Sequence, residues 1–363
     1  MKVVIFGLAI SSSWGNGHAT LWRGLCAALI AQGHRVVFFE RDTEWYAAHR
    51  DLHHLPGGRL VLYCGWADVL PAARRELADA DAGIVTSYCP DALAASALLM
   101  HSSVAVRAFY DLDTPVTLAN LATGQAVSYI GTRGLRDYDL VLSYTGGAAL
   151  EGLCQQLGAR RVAPLYGSVN PGVHHEVDPA PAYRSDLSYL GTFAADRQAA
   201  LEELFVAPAR QLPERRFVLG GSGYPANFPW TPNIYFVRHM PPAEHPAFYS
   251  SSRLTLNVTR SAMAIMGHCP SGRLFEAAAC GTAILTDRWQ GLDAFFEPGS
   301  EILLARDRRD VAQALELSDG ELGRIGNAAR ERALAEHTAA HRARELVQLL
   351  HSVAAKALAR AGD

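Results

Sequence analysis

Ser271-Gly-Arg-Leu-Phe-Glu-Ala-Ala-Ala-Cys-Gly281 lies between two short apolar runs, Leu254–Val258 and Ala283–Leu285. Alanines at 277, 278 and 279 let a helix pack closely on a sheet, and Gly281 stands where a helix C-terminus takes a left-handed residue. The stretch therefore reads as strand, helix, strand, one repeat of an open α/β sheet. Ligands of such sheets bind at the carboxyl ends of the strands, beside the helix starts. Glu276 is a carboxylate among alanines, costly to bury without partners. Either it faces water or the hydroxyls of a ligand satisfy it. Arg273, near the helix start, offers a planar bidentate charge to a phosphate, together with the first helix amides. The plainer alternative is an Arg273–Glu276 pair, three residues apart on one helix face.

The same alternation extends in both directions. Val3–Leu8 is a continuous apolar strand run. The loop Ser11-Ser-Ser-Trp-Gly-Asn-Gly-His18 follows, then a helix over Thr20–Gln32 with apolar positions 21, 25, 28 and 29, then a strand over Arg35–Glu40. This β-loop-α-β unit is the usual opening of a doubly wound domain. It is not the dinucleotide fingerprint, because position 20 is Thr where that pattern needs glycine. Further strands are read at Arg59–Tyr63, Ala82–Ser87, Val104–Tyr110, Leu140–Ser143 and Ala159–Pro164, with helices over Leu70–Ala80 and Ala148–Leu157. His174–Arg184, with few apolar residues and prolines at 179 and 181, reads as a linker. A second α/β pattern then runs through strands near 187–192, Phe217–Leu219, Ile234–Val237 and Leu254–Val258, with helices over Arg197–Leu204, His245–Ser250, Asp310–Leu317, Asp319–Leu334 and His341–Ala359. Two α/β halves with no internal sequence repeat suit two Rossmann-like domains facing each other across a cleft.

The bulk composition sets limits. At 363 residues the chain is comfortable for two domains, and 49% hydrophobic with 19% charged residues is an ordinary globular balance. A formal net charge of −3 argues against a nucleic-acid or anionic-membrane partner. The cysteines at 26, 64, 89, 154, 269 and 280 have neither C-x-x-C nor metal spacing and read as small buried hydrophobes in a reducing compartment. The apolar run at the N-terminus is too short for a signal peptide or a spanning helix, so the expected location is cytoplasmic, with no membrane span.

Arg-Leu-Phe-Glu-Ala-Ala-Ala-Cys-Gly-Thr-Ala-Ile-Leu-Thr-Asp at 273–287, followed by Phe-Glu-Pro-Gly-Ser-Glu-Ile at 296–302, resembles the donor-domain signature of GT-B glycosyltransferases, most closely the CgeB-like, spore-maturation-type branch. The resemblance implies an acceptor-binding domain over 1–170, a nucleotide-sugar donor domain over 171–340, and a helix in 341–363 that crosses back onto the first domain. In such enzymes the Glu matching Glu276 binds the ribose. Many retaining members carry a second Glu, against the sugar, eight positions earlier, where this chain has His268. Asp287, at a strand end, either meets sugar hydroxyls or caps and packs, as does Trp289. Metal-independent members hold the diphosphate with Arg, Lys and amides. Here Arg273, Arg260 and Arg197 are candidates with the amides of Gly191 and Thr192, Arg197 the weakest of them because a solvated helix residue is its plainer alternative. His239 and Met240 match the place where related enzymes read the nucleobase edge, with Gly221 and Ser222 in a loop nearby. The loop of Gly15, Asn16, Gly17 and His18 resembles the first glycine loop of GT-B enzymes, including the MurG type.

His18 is the candidate base. At a helix start the dipole disfavours its charged form, and deprotonating an acceptor hydroxyl needs a base near neutral pH. Otherwise it merely caps the loop. Asp111 and Asp113 follow a strand: either positions His18 or an acceptor, or is itself the base. Asp113, before Thr-Pro, reads first as a helix cap, which leaves Asp111 the stronger catalytic candidate. No Ser-His-Asp spacing, phosphate-binding Walker loop or zinc motif is present, and the adjacent pairs His53-His54 and His174-His175 read as incidental. The expected activity is transfer of a sugar from a nucleoside-diphosphate sugar to a hydroxyl-bearing acceptor, without metal or other cofactor. Rival readings are a sugar-nucleotide epimerase on the same fold and a degenerate scaffold protein.

Overall fold

The computed structural model describes residues 1–361, with side chains through 355. The last two residues of the 341–363 segment lie outside the described residues. The chain divides into two compact units, one of residues 1–166 with 339–363 and one of residues 167–338.

The first unit holds a seven-stranded parallel sheet of β1 (Lys2–Gly7), β2 (Arg35–Arg41), β3 (Arg59–Tyr63), β4 (Ala82–Thr86), β5 (Val106–Asp111), β6 (Leu140–Ser143) and β7 (Val162–Pro164), in the order β3-β2-β1-β4-β5-β6-β7. The uninterrupted apolar run of β1 is explained by burial on both faces. Val3 and Ile5 join a core with Trp22, Leu25 and Leu29, while Val4 and Phe6 join another with Val69, Ala73 and Leu77. Register is fixed by such pairs as Val3↔Val36 and Ile5↔Phe38. The helix Ala339–Ala361 belongs to this unit, and its Ala343, Leu346, Leu350 and Val353 lie in the first of those cores. The order of strands reverses between β1 and β4, so their carboxyl ends frame the crevice where doubly wound sheets take ligands.

The second unit holds β8 (Ser185–Leu190), β9 (Phe217–Gly221), β10 (Ile234–Arg238), β11 (Ser252–Asn257), β12 (Ala283–Thr286) and β13 (Leu303–Leu304), parallel in the order β10-β9-β8-β11-β12-β13. Its switch point lies between β8 and β11. The helix Gly272–Ala279 packs Leu274, Phe275 and the three alanines inward, as their small size allows. The helix expected over Arg197–Leu204 instead runs on to Gln211, through a wider turn at Glu202–Val206. That turn comes just before Pro208, whose missing N–H and bulky ring a regular turn would not accommodate. Two short helices, Glu44–Ala48 and Ser261–Met266, and the longer Ala92–Met100 were not foreseen.

Candidate functional site

In the second unit, the residues singled out for the donor sit at the carboxyl edge of the sheet or in the loops leaving it, apart from Arg273 and Glu276 on the helix Gly272–Ala279 and His268 just before that helix. Gly191 and Thr192 leave β8, Gly221 ends β9, His239 and Met240 leave β10, Arg260 follows β11, and Asp287 follows β12. Gly221 has φ of 151°, and its neighbour across the gap is the carbonyl oxygen of Gly191. The Gly191 amide donates to the Gly220 carbonyl at 2.9 Å, and the His239 amide to the Gly221 carbonyl at 2.8 Å. Three strand ends are thus tied backbone to backbone, and at Gly221 the approach leaves no room for a side chain.

Two guanidinium groups enter this edge. Arg273 donates from Nη1 to the Leu190 carbonyl at 2.5 Å and from Nε to Ser271 Oγ at 3.1 Å, and stands 5.7 Å from the Tyr189 ring centre. It does not form the ion pair with Glu276 that the three-residue spacing allowed. Arg197, the weakest of the three arginine candidates, is not the solvated residue of its plainer reading: it is 8% exposed and donates to the Thr192 carbonyl. Burial, and then the nearby charge of Arg273, push Arg197 below the usual guanidinium range. Among the described residues neither arginine has a carboxylate within ion-pair distance. Two such charges side by side are costly to bury and favour an anion between them. Arg260 is engaged elsewhere, its Nε donating to Asp196 Oδ2 at 2.9 Å.

Glu276 is buried, at 7% exposure, and burial raises its pKa. Among the described residues nothing donates a hydrogen bond to its side chain. Its nearest polar neighbours are His245 Nδ1 at 3.8 Å and His174 Nε2 at 4.0 Å. Neither histidine was read as part of the site; His174, read with His175 as incidental, is 1% exposed and stands beside the Glu276 carboxylate. The only signal for it was a histidine just past the end of the first half, with no spacing to connect it to Glu276.

Asp287 is committed to its own loop. Its Oδ1 accepts from the Thr259 amide at 2.9 Å, from Thr259 Oγ1 at 3.0 Å and from Thr286 Oγ1 at 3.3 Å, and burial raises its pKa. His268 adopts a positive φ of 45° and its amide donates to the Gln290 carbonyl at 2.7 Å. Met240 is buried, and its carbonyl lies 3.3 Å from His245 Nε2.

In the first unit the loop after β1 carries Gly15, at φ of 60°, and ends in Asn16, whose side chain caps the helix Gly17–Ala31 by accepting from the His18 amide at 3.1 Å. Capping therefore falls to Asn16, and the His18 ring is free to face the sheet edge. His18 Nε2 lies 3.3 Å from Asp113 Oδ2, and its ring centre is 5.8 Å from that of Tyr88, which leaves β4. The structure pairs His18 with Asp113, not with Asp111. Asp113 occupies the cap position of the helix Thr114–Ala122 but makes no side-chain cap bond. Asp111 is sealed within the sheet edge at 0% exposure, its Oδ1 accepting from the Asp113 amide at 3.1 Å, and burial pushes its pKa up to about 6. Glu40, at the end of β2, escaped the sequence reading. It anchors the β1 loop by accepting from the amides of Ile10 at 2.7 Å and Ser11 at 2.9 Å.

Residues 197–348 match the family model described as glycosyl transferase-like. The chain as a whole has the GT-B fold. Sucrose-phosphate synthase from Thermosynechococcus elongatus is similar at a TM-score of 0.71 with 16% identity, over 98% of this chain and 99% of that one. HepE from Anabaena, solved in complex with UDP and glucose, is similar at 0.67 with 14% identity, over 97% and 100%. Trehalose 6-phosphate synthase from Burkholderia multivorans is similar at 0.63 with 14% identity, over 98% and 99%. No curated protein matches the sequence. Among the described residues no helix is long and apolar enough to cross a membrane.

Proposed function

We propose that the protein is a glycosyltransferase of the CgeB-like branch that moves a sugar from a nucleoside-diphosphate sugar to a hydroxyl-bearing acceptor, with no metal on the diphosphate. The observation that carries this reading is the pair of guanidinium groups, Arg197 and Arg273, without a carboxylate partner, on the same sheet edge that bears Gly191, Thr192 and Gly221. A diphosphate supplies the missing charge, and its oxygens accept from both arginines and from the amides of the β8 loop. Glu276, buried without a donor, takes the ribose hydroxyls. In the first unit His18 is the base for the acceptor hydroxyl, with Asp113 stabilising the imidazolium that forms. The branch is suggested by the 273–287 and 296–302 segments.

UDP is the first donor nucleotide to test, since it is what the similar HepE structure holds. Calorimetric titration of UDP in EDTA is expected to show binding to the parent protein. Glu276→Gln is expected to weaken it about tenfold or more, as loss of a charged hydrogen-bond acceptor should, and Arg273→Met by at least as much. Unchanged affinity in both variants would remove the donor site from this sheet edge.

A further inference from the structure

We propose that His174, His245 and Glu276 form a binding site for one transition-metal ion of the Zn²⁺ class. His174 Nε2 lies 3.3 Å from His245 Nδ1, and Glu276 Oε2 lies 3.8 Å from His245 Nδ1 and 4.0 Å from His174 Nε2. A tetrahedral ion with bonds of about 2.0–2.2 Å sets its ligands roughly 3.3–3.6 Å apart. The two imidazole nitrogens already have that separation, and the carboxylate needs to close by only about half an ångström, within the reach of side-chain rotation. The three ligands come from separate segments: the loop whose Asn170 carbonyl accepts from the His174 amide at 2.9 Å, the start of the helix His245–Ser250, and the helix Gly272–Ala279.

The surroundings suit a metal. The contact of His245 Nε2 with the Met240 carbonyl, 3.3 Å away, puts the proton on Nε2, because a carbonyl only accepts. Nδ1 then turns its lone pair towards the other two ligands, as the outer hydrogen bond of a metal-binding histidine does. Without an ion, His174 Nε2 holds the proton that bridges to the His245 Nδ1 lone pair; metal binding displaces that proton to His174 Nδ1, which has no hydrogen-bond partner among the described residues. The Glu276 side chain keeps 9% exposure, so the cluster is not wholly sealed from water. Two imidazoles and one carboxylate select Zn²⁺, Co²⁺, Ni²⁺ or Cu²⁺ over Mg²⁺ and Ca²⁺, which prefer oxygen alone. The ion is therefore not one that would bridge the phosphates. It competes for the carboxylate assigned above to the ribose, so metal and nucleotide exclude each other; this last clause alone rests on the donor reading.

Co²⁺ is the probe, titrated into the full chain after EDTA treatment and dialysis, in a Cys64→Ser, Cys154→Ser background that removes the two exposed thiols. One equivalent is expected to give the intense visible bands of a four-coordinate ion, with no thiolate charge-transfer band. His174→Ala is expected to weaken binding by about 100-fold or more, since even outer partners of metal ligands account for 10–100-fold. Glu276→Gln, which keeps the shape of the side chain, is the second variant should His174→Ala fold poorly. A pale six-coordinate spectrum, or affinity unchanged in the variants, would overturn the site. UDP added to the Co²⁺-loaded protein is expected to bleach the bands, and bands that persist with UDP bound would overturn the exclusion. UDP titrated without metal tests the donor reading separately, so the two failures are told apart.

Discussion

A Cβ atom placed on Gly221 would lie 2.1 Å from the carbonyl oxygen of Gly191. The ends of β8 and β9 meet at that point backbone against backbone, with no flexible side chain between them to give way. Gly221→Ala must therefore part the two strand ends as well as strain a residue at φ of 151°. The expected loss of stability is about 2–4 kcal/mol, read from denaturant unfolding. Gly223→Ala is the comparison: its φ is 78°, but the nearest atom to an added Cβ is Phe193 Cβ at 3.6 Å, so strain without overlap should cost less. Equal stability of the two variants would count against the overlap.

The 3.3 Å contact between His18 Nε2 and Asp113 Oδ2 gives a second expectation. His18→Ala should slow sugar transfer to the acceptor by about 10²–10⁴-fold, the usual contribution of a positioned base. UDP affinity should be unchanged, because His18 belongs to the other unit from the nucleotide residues. Asp113→Asn should slow transfer by a smaller factor, since it keeps the contact and loses only the charge. Product formation and calorimetry, measured on the same preparations, check both. A parallel loss of UDP affinity would mean that the pair serves the fold.

Asp111 sets a pH dependence of stability. Burial raises its pKa from 3.8 to about 6 in the folded protein, so folding favours the protonated acid. Its contribution is full below about pH 4 and is lost as the pH rises through about 6, a change of about 3 kcal/mol at most. Asp111→Asn stays neutral and keeps the oxygen that accepts from the Asp113 amide. Relative to the parent, this variant should gain stability as pH rises from 4 to 7, most steeply at about 5, between the unfolded and folded pKa values. Unfolding midpoints measured across that range, parallel for the two proteins, would show that Asp111 ionises without cost.

The sheets were legible because parallel strands buried on both faces leave continuous apolar runs. Leu140–Ser143 was read to the residue for that reason; Arg59–Tyr63, an edge strand only partly buried, was read to the residue from its apolar run alone. Ala92–Met100 escaped because its apolar residues point in every direction and leave no period to detect. The donor loops could be placed in sequence, since each follows a strand. Their partnerships could not. Whether Arg273 pairs with Glu276 or turns to the Leu190 carbonyl depends on where β8 ends, a contact across 83 residues. Arg197 looked solvated because helix position says nothing of what the loop after β8 covers. Asp111 and Asp113 could not be ranked from spacing, because Asp111 is the last residue of β5 while Asp113 lies past it at the start of the next helix, where strand alternation no longer sets the direction of the side chain. His174 and His245, 71 residues apart, share no pattern that links them to Glu276.

The return of residues 339–361 to the first unit has a consequence for biosynthesis. Leu346, Leu350 and Val353 complete a core begun by Val3 and Ile5. On the ribosome, the early half must wait with that apolar surface uncovered until residues 346–353 have emerged, while residues 167–338 are all available sooner. The later-encoded unit is thus the first able to mature, and the nascent early half is the natural client for a chaperone.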